Sequence, residues 1–190
     1  RLLIGTSSPV IAYSNTFPVQ VLGSSSATSG QILAGFADDA TSSGGLILGK
    51  SRNATKAAGK VVQSGDRLGT IGFVGDDGTA LIRGAQVIAE VDGTPGANDM
   101  PGRIVLMTTA KGSGNPTPRM TIGSTGNVEI NAAAATSPFI AKVNSAEKLR
   151  IDSAGRLLVG ASSPVIAYST TFLVQVLGSS SATSGQILAG

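Results

Sequence analysis

The sequence has 190 residues, with 14 Lys and Arg against 11 Asp and Glu, and it contains no His, no Cys and no Trp. Without His or Cys there is no imidazole base, no thiol nucleophile, no zinc site with nitrogen or sulfur ligands and no disulfide. The apolar fraction of 41% is sufficient for a buried core, and no apolar run approaches the roughly 18 residues of a membrane-spanning helix. We therefore expect a folded protein that is not an enzyme, binds no cofactor and inserts into no membrane.

The most informative feature is an internal repeat with a period of 155 residues. Residues 1–35 and 156–190 differ at only four of 35 positions, which are Ile4/Val159, Thr6/Ala161, Asn15/Thr170 and Pro18/Leu173. Because the sequence begins inside one copy and stops inside the next, we expect a window from a longer tandem array. Such arrays serve reach and multivalency more often than catalysis at one site.

Short strands separated by turn residues account for most of the chain before residue 119. Apolar patterning predicts six of them, which are Val19–Leu22, Gln31–Leu33, Leu46–Leu48, Leu68–Val74, Ala85–Val91 and Arg103–Thr108. Glycine pairs and Asp-Gly turns separate them. Only Asn131–Thr136 has a composition that favours a helix, and this segment is short and closely followed by Pro138. The pattern predicts an all-β fold.

Two similar segments, Arg119–Ile130 and Lys148–Val159, read as β-hairpins that begin 29 residues apart. In each, apolar and polar residues alternate along two arms, and glycine in the turn supplies the positive φ of a short loop. Arg1–Gly5 matches the second arm of the same hairpin. Hairpins of this size are marginal alone, so neighbours along the chain or from other chains must bury their apolar sides.

Glycine recurs at every third residue in one predicted strand, at Gly69, Gly72, Gly75 and Gly78. Four triplets without proline, with Ile, Phe and Val between the glycines, do not form a collagen helix. We interpret the spacing as a strand in a crowded core where backbones approach closely.

Two Asp-rich turns are the candidates for a cation. Residues 76–79 and 92–99 each bring side-chain oxygens together, as a calcium loop does. Neither follows the EF-hand pattern, and Asp-Gly is common turn chemistry. We interpret both as turns and predict no metal site.

Residues for binding or cleaving polymers are sparse. The one local basic cluster contains no aromatic residue that could stack on a base, so nucleic acid is not expected as a partner. Cleavage of a polysaccharide needs two carboxylates about 5 to 9 Å apart, and Glu90 is the best candidate acid among few. The cluster is Lys50, Arg52, Lys56 and Lys60; the glutamates are Glu90, Glu129 and Glu147; the only tyrosines, Tyr13 and Tyr168, are repeat equivalents. We predict no catalytic residue.

Segments between Gly45 and Ser163 resemble the fibre proteins of tailed bacteriophages, particularly marine ones. The resemblance is carried by Gly65–Thr79, Ala89–Val105 and Pro118–Ile122, and Leu149–Gly160 resembles the shaft repeats of the same proteins. Shaft repeats of this kind also occur in bacterial and cyanobacterial surface proteins. The resemblance implies a homotrimeric, β-rich fibre whose three chains share one core, carried on a virion and directed at a host surface.

We therefore expect an elongated all-β fibre, in which a β-rich module of about 80 residues alternates with hairpin shaft repeats in an intertwined homotrimer. Its function would be to project a distal receptor-binding tip from the virion. The alternatives are a non-viral extracellular or cell-surface filament or adhesin, or a module that binds host glycans weakly. The expected divisions are residues 1–35, the start of a repeat; 36–118, the module; 119–160, shaft hairpins; and 156–190, the next copy.

Overall fold

A computed structural model describes residues 2–4, 6–12, 17–22, 33–34, 38, 41, 43–53, 59–133, 136–163, 166–167, 170–171 and 174–176. The chain divides into two compact units, Arg1–Val128 and Glu129–Gly190. Every regular element in the described ranges is a β-strand, which confirms the all-β class. Within those ranges there is accordingly no helix long and apolar enough to cross a bilayer.

The largest sheet is antiparallel and has five strands. They are β3 (Arg67–Asp76), β4 (Leu81–Val91), β5 (Gly102–Thr109), β6 (Pro116–Ile122) and β7 (Val128–Ile130), in that spatial order. Strands adjacent in sequence are therefore adjacent in the sheet, as expected where tight turns join them. The first predicted hairpin forms β6 and β7. The N–H of Gly123 donates to the carbonyl of Asn127 at 3.0 Å, and the N–H of Gly126, which has a φ of 84°, donates to the carbonyl of Gly123 at 2.9 Å.

A small parallel pair precedes this sheet in the chain. Strands β1 (Leu2–Ile4) and β2 (Val19–Val21) pair in register from Leu2 opposite Val19 to Ile4 opposite Val21. The buried side chain of Gln20 forms two hydrogen bonds with the backbone of Val10. Its amide donates to the carbonyl of Val10 at 2.8 Å and its oxygen accepts from the Val10 N–H at 2.9 Å. These two bonds satisfy the buried amide and close the loop between the strands.

The second unit is built on a four-stranded sheet in the order β13, β10, β9, β8. Its strands are β8 (Phe139–Val143), β9 (Ala146–Ile151), β10 (Leu157–Val159) and β13 (Val174–Val176), and a separate pair consists of β11 (Ile166–Ala167) and β12 (Thr170–Thr171). Strands β9 and β10 form the second predicted hairpin. Strands β8 and β9 form another, whose two-residue loop, Asn144-Ser145, has φ values of 47° and 63°. Two positive φ angles in a two-residue loop define a type I′ turn.

The strand predictions are confirmed for Val19–Leu22, Leu68–Val74, Ala85–Val91 and Arg103–Thr108, with ends that agree to within four residues. The strand predicted at Leu46–Leu48 is wrong, because this segment has no ladder partner and lies across a sheet instead. Residues 31 and 32 of the predicted strand at Gln31–Leu33 lie outside the described residues. Residues 131–133 and 136 are not helical, and β8, which the sequence did not predict, follows them.

Candidate functional site

The two faces of the five-stranded sheet differ in exposure. Side chains alternate between the faces along each strand, and residues directly opposite on neighbouring strands share a face. Ile88 of β4 and Val105 of β5 lie opposite one another and are almost completely buried, at 1% and 6% exposure. The other face carries the neighbouring positions, and five of its large apolar side chains are 36–56% exposed: Ile71, Phe73, Ile104, Leu106 and Ile122. We call these five residues the open face.

The open face is continuous across four strands. Ile71 of β3 lies opposite Val87, which lies opposite Leu106, which lies opposite Met120. With side chains of about 200 Å² each, the five residues expose on the order of 450 Å² of apolar surface. A patch of this size falls within the roughly 300–600 Å² of the largest patch on a typical monomer, and such patches are often functional. The geometry suits contact with another flat apolar surface.

One end of the open face is covered by the segment Leu46–Leu48. Leu46 and Leu48 line a shallow cleft of about 200 Å³ together with residues of β3, β4 and β5. A Cβ atom at Gly69 would lie 2.6 Å from the Cβ of Leu48, so this position requires glycine. A Cβ at Gly75 would meet nothing within 4 Å, and Gly78 lies in a turn with a φ of 93°. Close packing against a neighbour therefore explains Gly69 but not Gly75, and Gly78 is explained by its turn.

Glu90, the best candidate acid, belongs to a network of ion pairs across strands. Its Oε2 accepts hydrogen bonds from Nε and Nη2 of Arg103 at 3.0 and 2.8 Å, and Arg67 lies 3.8 Å from its Oε1. Arg103 also donates to Asp92 at 3.3 Å, and Asp92 accepts from the backbone N–H of Ser124 at 2.8 Å. Hydrogen bonds from Ser124, with a smaller contribution from Arg103, lower the pKa of Asp92. These ion pairs and hydrogen bonds join β3, β4 and β5 to the β6–β7 turn, so Glu90 has structural partners on the neighbouring strands.

The other two glutamates lie elsewhere in the fold. Glu129 is exposed on β7. Glu147 forms an ion pair with Arg150 at 2.5 Å, which lowers the pKa of Glu147. A β-bulge at Lys148 explains this pair, because the extra residue places positions 147 and 150 on the same face. Tyr13 and Tyr168 lie outside the described residues.

The two Asp-rich candidates for a cation use their oxygens locally. Asp77 Oδ1 accepts hydrogen bonds from the N–H groups of Thr79 and Ala80 and from the Thr79 hydroxyl, at 2.6 to 2.9 Å, which lowers the pKa of Asp77. Asp76 Oδ1 likewise accepts from Gly78 at 2.9 Å. In the second loop, Asn98 adopts a φ of 57° between the bridged residues Gly96 and Asp99. In the ranges that the structure describes, no three acidic side chains gather as metal ligands would.

The basic segment is partly neutralised by Asp66. Nε and Nη2 of Arg52 donate to its two carboxylate oxygens at 2.6 and 2.9 Å, and Gln63 N–H donates to the same carboxylate at 2.9 Å. The hydrogen bond from Arg52, followed by that from Gln63, lowers the pKa of Asp66 to about 2. Ser51 Oγ accepts from the N–H of Lys60 at 3.0 Å and closes the loop. Lys56, within this loop, is outside the described residues.

No protein-family model matches this chain, and no curated protein is similar to it. The sequence repeat and the surfaces described above are therefore the features that bear on function. Sequence reasoning identified Glu90 and the Asp-rich turns but missed the open face. The alternation of Ile71 with Phe73, and of Ile104 with Leu106, was the signal that could have located it.

Proposed function

We propose that this protein is a structural segment of a phage-type fibre, in which copies of the chain associate through their open faces and project a distal receptor-binding tip towards a host surface. The observation that supports this most directly is the exposed apolar surface across four strands of one sheet. The largest apolar patch of a protein is often functional, so this surface is the candidate for contact between chains. The repeat of residues 1–35 at 156–190 supports the same proposal, because repeated units within one chain multiply weak contacts.

Three chains provide a simple way to close such a face. Around a three-fold axis, each apolar face would contact the faces of two other chains, as the resemblance to trimeric fibres implies. Burial of about 450 Å² is favourable by about 11 kcal/mol per chain at 25 cal/mol per Å². Association costs on the order of 4–15 kcal/mol. The 190-residue chain should therefore associate reversibly, and a chain with more copies of the repeat should associate more tightly. We place the assembled fibre on the virion; the same contacts would serve a non-viral surface filament.

The test is the solution mass of the full 190-residue chain, measured by light scattering after size exclusion over a range of concentrations. We expect a species of three times the 18.8 kDa chain mass, with the trimer fraction rising with concentration. Ile104→Asp, in the open face, should shift the mass to that of the monomer. Val61→Asp is the matched control. It introduces the same charge at an exposed position outside the sheet.

Two outcomes would overturn the proposal. One is a monomer at every concentration with an unaltered circular dichroism spectrum. The other is an oligomer that Ile104→Asp leaves intact, because the open face would then not be its interface. A dimer would keep the open face as an interface and exclude the three-fold arrangement.

A further inference from the structure

The segment Leu46–Leu48, which we call the strap, lies over one end of the open face. Leu48 packs against Gly69, where a Cβ atom would lie 2.6 Å from the Cβ of Leu48. Leu46 and Leu48 line the same cleft as Ile71, a member of the open face. The strap therefore forms a ridge on that end of the sheet surface.

The middle residue of the strap points away from the sheet. Ile47 is 92% exposed, the highest value among the large apolar side chains in the described part of the chain. Leu46 and Leu48 are 65% and 44% exposed even though they line the cleft. Among the described residues, the strap has no ladder partner. Contacts within one chain thus hold the inner side of the strap and leave Ile47 almost entirely in water.

Together, the strap and the open face reach the area of a standard protein interface. A single exposed apolar residue needs no explanation, but Ile47 adjoins the open face through the strap. At about 200 Å² per side chain, the three strap residues expose on the order of 400 Å², beside about 450 Å² of the open face. The total is about 850 Å², and a stable complex buries about 800 Å² on each partner. The open face without the strap would fall short of that area.

The combined surface is apolar at its centre and polar at its border. None of the side chains of the strap or of the open face is charged, and the first charged residue after the strap is Lys50. On the sheet, Thr108 follows Leu106 on the same face, and its Oγ1 accepts a hydrogen bond from Nε of Arg119 at 3.0 Å. Interfaces between proteins have this arrangement, with charged residues depleted at the core and polar groups at the rim.

A ridge beside an uncovered area makes this surface complementary to itself. Phe73, Leu106 and Ile122 belong to the open face and lie outside the cleft under the strap. Two such faces with strap against strap would be held apart, because sheets that pack through their side chains alone lie about 10 Å from one another. The strap of one copy fits where the other copy has none, over Phe73, Leu106 and Ile122.

We infer that Ile47 anchors the contact between copies of this chain by packing on the uncovered part of the open face of a second copy. This inference rests on the proposed function, since it assigns a residue and a partner surface to the association proposed there. Leu46 and Leu48 hold the strap on its own sheet before association, so little conformational freedom is lost when Ile47 is buried. Each copy contributes one strap and one uncovered area, so the contact can repeat from copy to copy around a closed ring.

The first test compares Ile47→Asp with Val61→Asp in the full 190-residue chain, by light scattering after size exclusion over a range of concentrations. Because Ile47 has little contact with its own chain, its replacement should leave the circular dichroism spectrum and the urea midpoint unchanged. We expect Ile47→Asp to have the monomer mass at concentrations at which Val61→Asp is associated. Ile47→Ala, which removes three carbon atoms without adding a charge, should raise the concentration of half-association by roughly 10-fold or more.

The second test locates the partner surface. The sequence contains no cysteine, so a chain with Ile47→Cys is mixed with an isotopically labelled chain with Phe73→Cys, and the mixture is oxidised. A disulfide forms only where two Cβ atoms come within about 4.5 Å. We expect a linked pair of one labelled and one unlabelled chain, identified by its mass, in excess over the pair formed by Val61→Cys with Phe73→Cys.

The outcomes separate this inference from the proposed function. A chain that stays monomeric at every concentration overturns the proposed association, and the inference with it. An oligomer that Ile104→Asp dissociates but Ile47→Asp leaves intact overturns the inference alone. Equal cross-linking from Ile47→Cys and Val61→Cys does the same, because the strap would then not lie on Phe73 of a second copy.

Discussion

The two copies of one strand allow the cost of removing the same side chain to be compared inside one molecule. Leu158→Ala and Leu3→Ala delete the same three carbon atoms from the centre of β10 and β1. At about 0.8 kcal/mol per buried carbon, the transfer cost at the fully buried Leu158 is about 2.4 kcal/mol. The cavity left behind raises this to about 3–4 kcal/mol. Leu3 is half-buried beside an open edge, so its truncation should cost only about 1 kcal/mol.

The assay is urea unfolding followed by circular dichroism, supported by amide exchange in each copy so that local destabilisation is assigned to the correct strand. We expect Leu158→Ala to lower the unfolding free energy of the second unit by about 3 kcal/mol, and Leu3→Ala to affect only the first copy, weakly. Equal costs at the two positions would refute the reasoning, because the edge of β1 would then already be covered.

Three further predictions concern single residues. Gln86 is buried with its Oε1 unpaired, so Gln86→Leu should stabilise the first unit by about 1–2 kcal/mol in urea unfolding, and a loss of stability would contradict this. Ser145 has a φ of 63° beside Asn144, so Ser145→Gly should raise the stability of the second unit by about 0.5–1 kcal/mol; an Ala at this position is the control and should give no such gain. Because the pKa of Asp66 is lowered from 3.8 to about 2 in the folded chain, the stability from its pair with Arg52 is present above pH 4 and lost as pH falls towards 2. An acid titration by NMR should show this midpoint near 2, and in Arg52→Gln the midpoint should rise towards 3.8.

The sequence was sufficient for the all-β class and for both hairpins, because local information determines those features. Alternation fixes a strand with one buried face, and glycine at a positive φ fixes the turn, as at Gly126 and Gly155. The strand expected within Arg1–Gly5 is present at Leu2–Ile4, where it pairs in parallel with β2; that it is one arm of a hairpin stays a prediction.

The sequence failed where contacts between distant residues decide the structure. Leu46–Leu48 has the composition of a strand but lies over Gly69, and no local pattern contains that contact. The parallel pairing of β1 with β2 depends on a loop closed by Gln20, which reads as an ordinary polar residue in a strand. Exposure of the open face is likewise a property of the whole sheet.

The two hairpin turns show how different residues can meet one geometric requirement. In the second hairpin, the carboxylate of Asp152 accepts the bonds that close the turn from Arg156. In the first, the equivalent position is Gly123, and a Cβ there would collide with the amide of Asn127. The polar closing group has moved from the first residue of the turn to the last. A resemblance between the two turns in sequence therefore underestimates their resemblance in structure.

The composition of the edge strands supports association as the working state of this chain. Proteins that remain monomeric protect an edge with Lys, Pro, bulges or inward-pointing charges. The ten-residue edge strand β3 has no lysine or proline and carries charges only at its ends, Arg67 and Asp76. Its pairing with β4 is irregular at Arg67/Gly69 and at Phe73/Val74, which protects this edge in part. Two members of the open face, Ile71 and Phe73, lie on this strand, and the proposed association would cover them. In the proposed assembly, the low charge of the chain would allow identical units to pack closely.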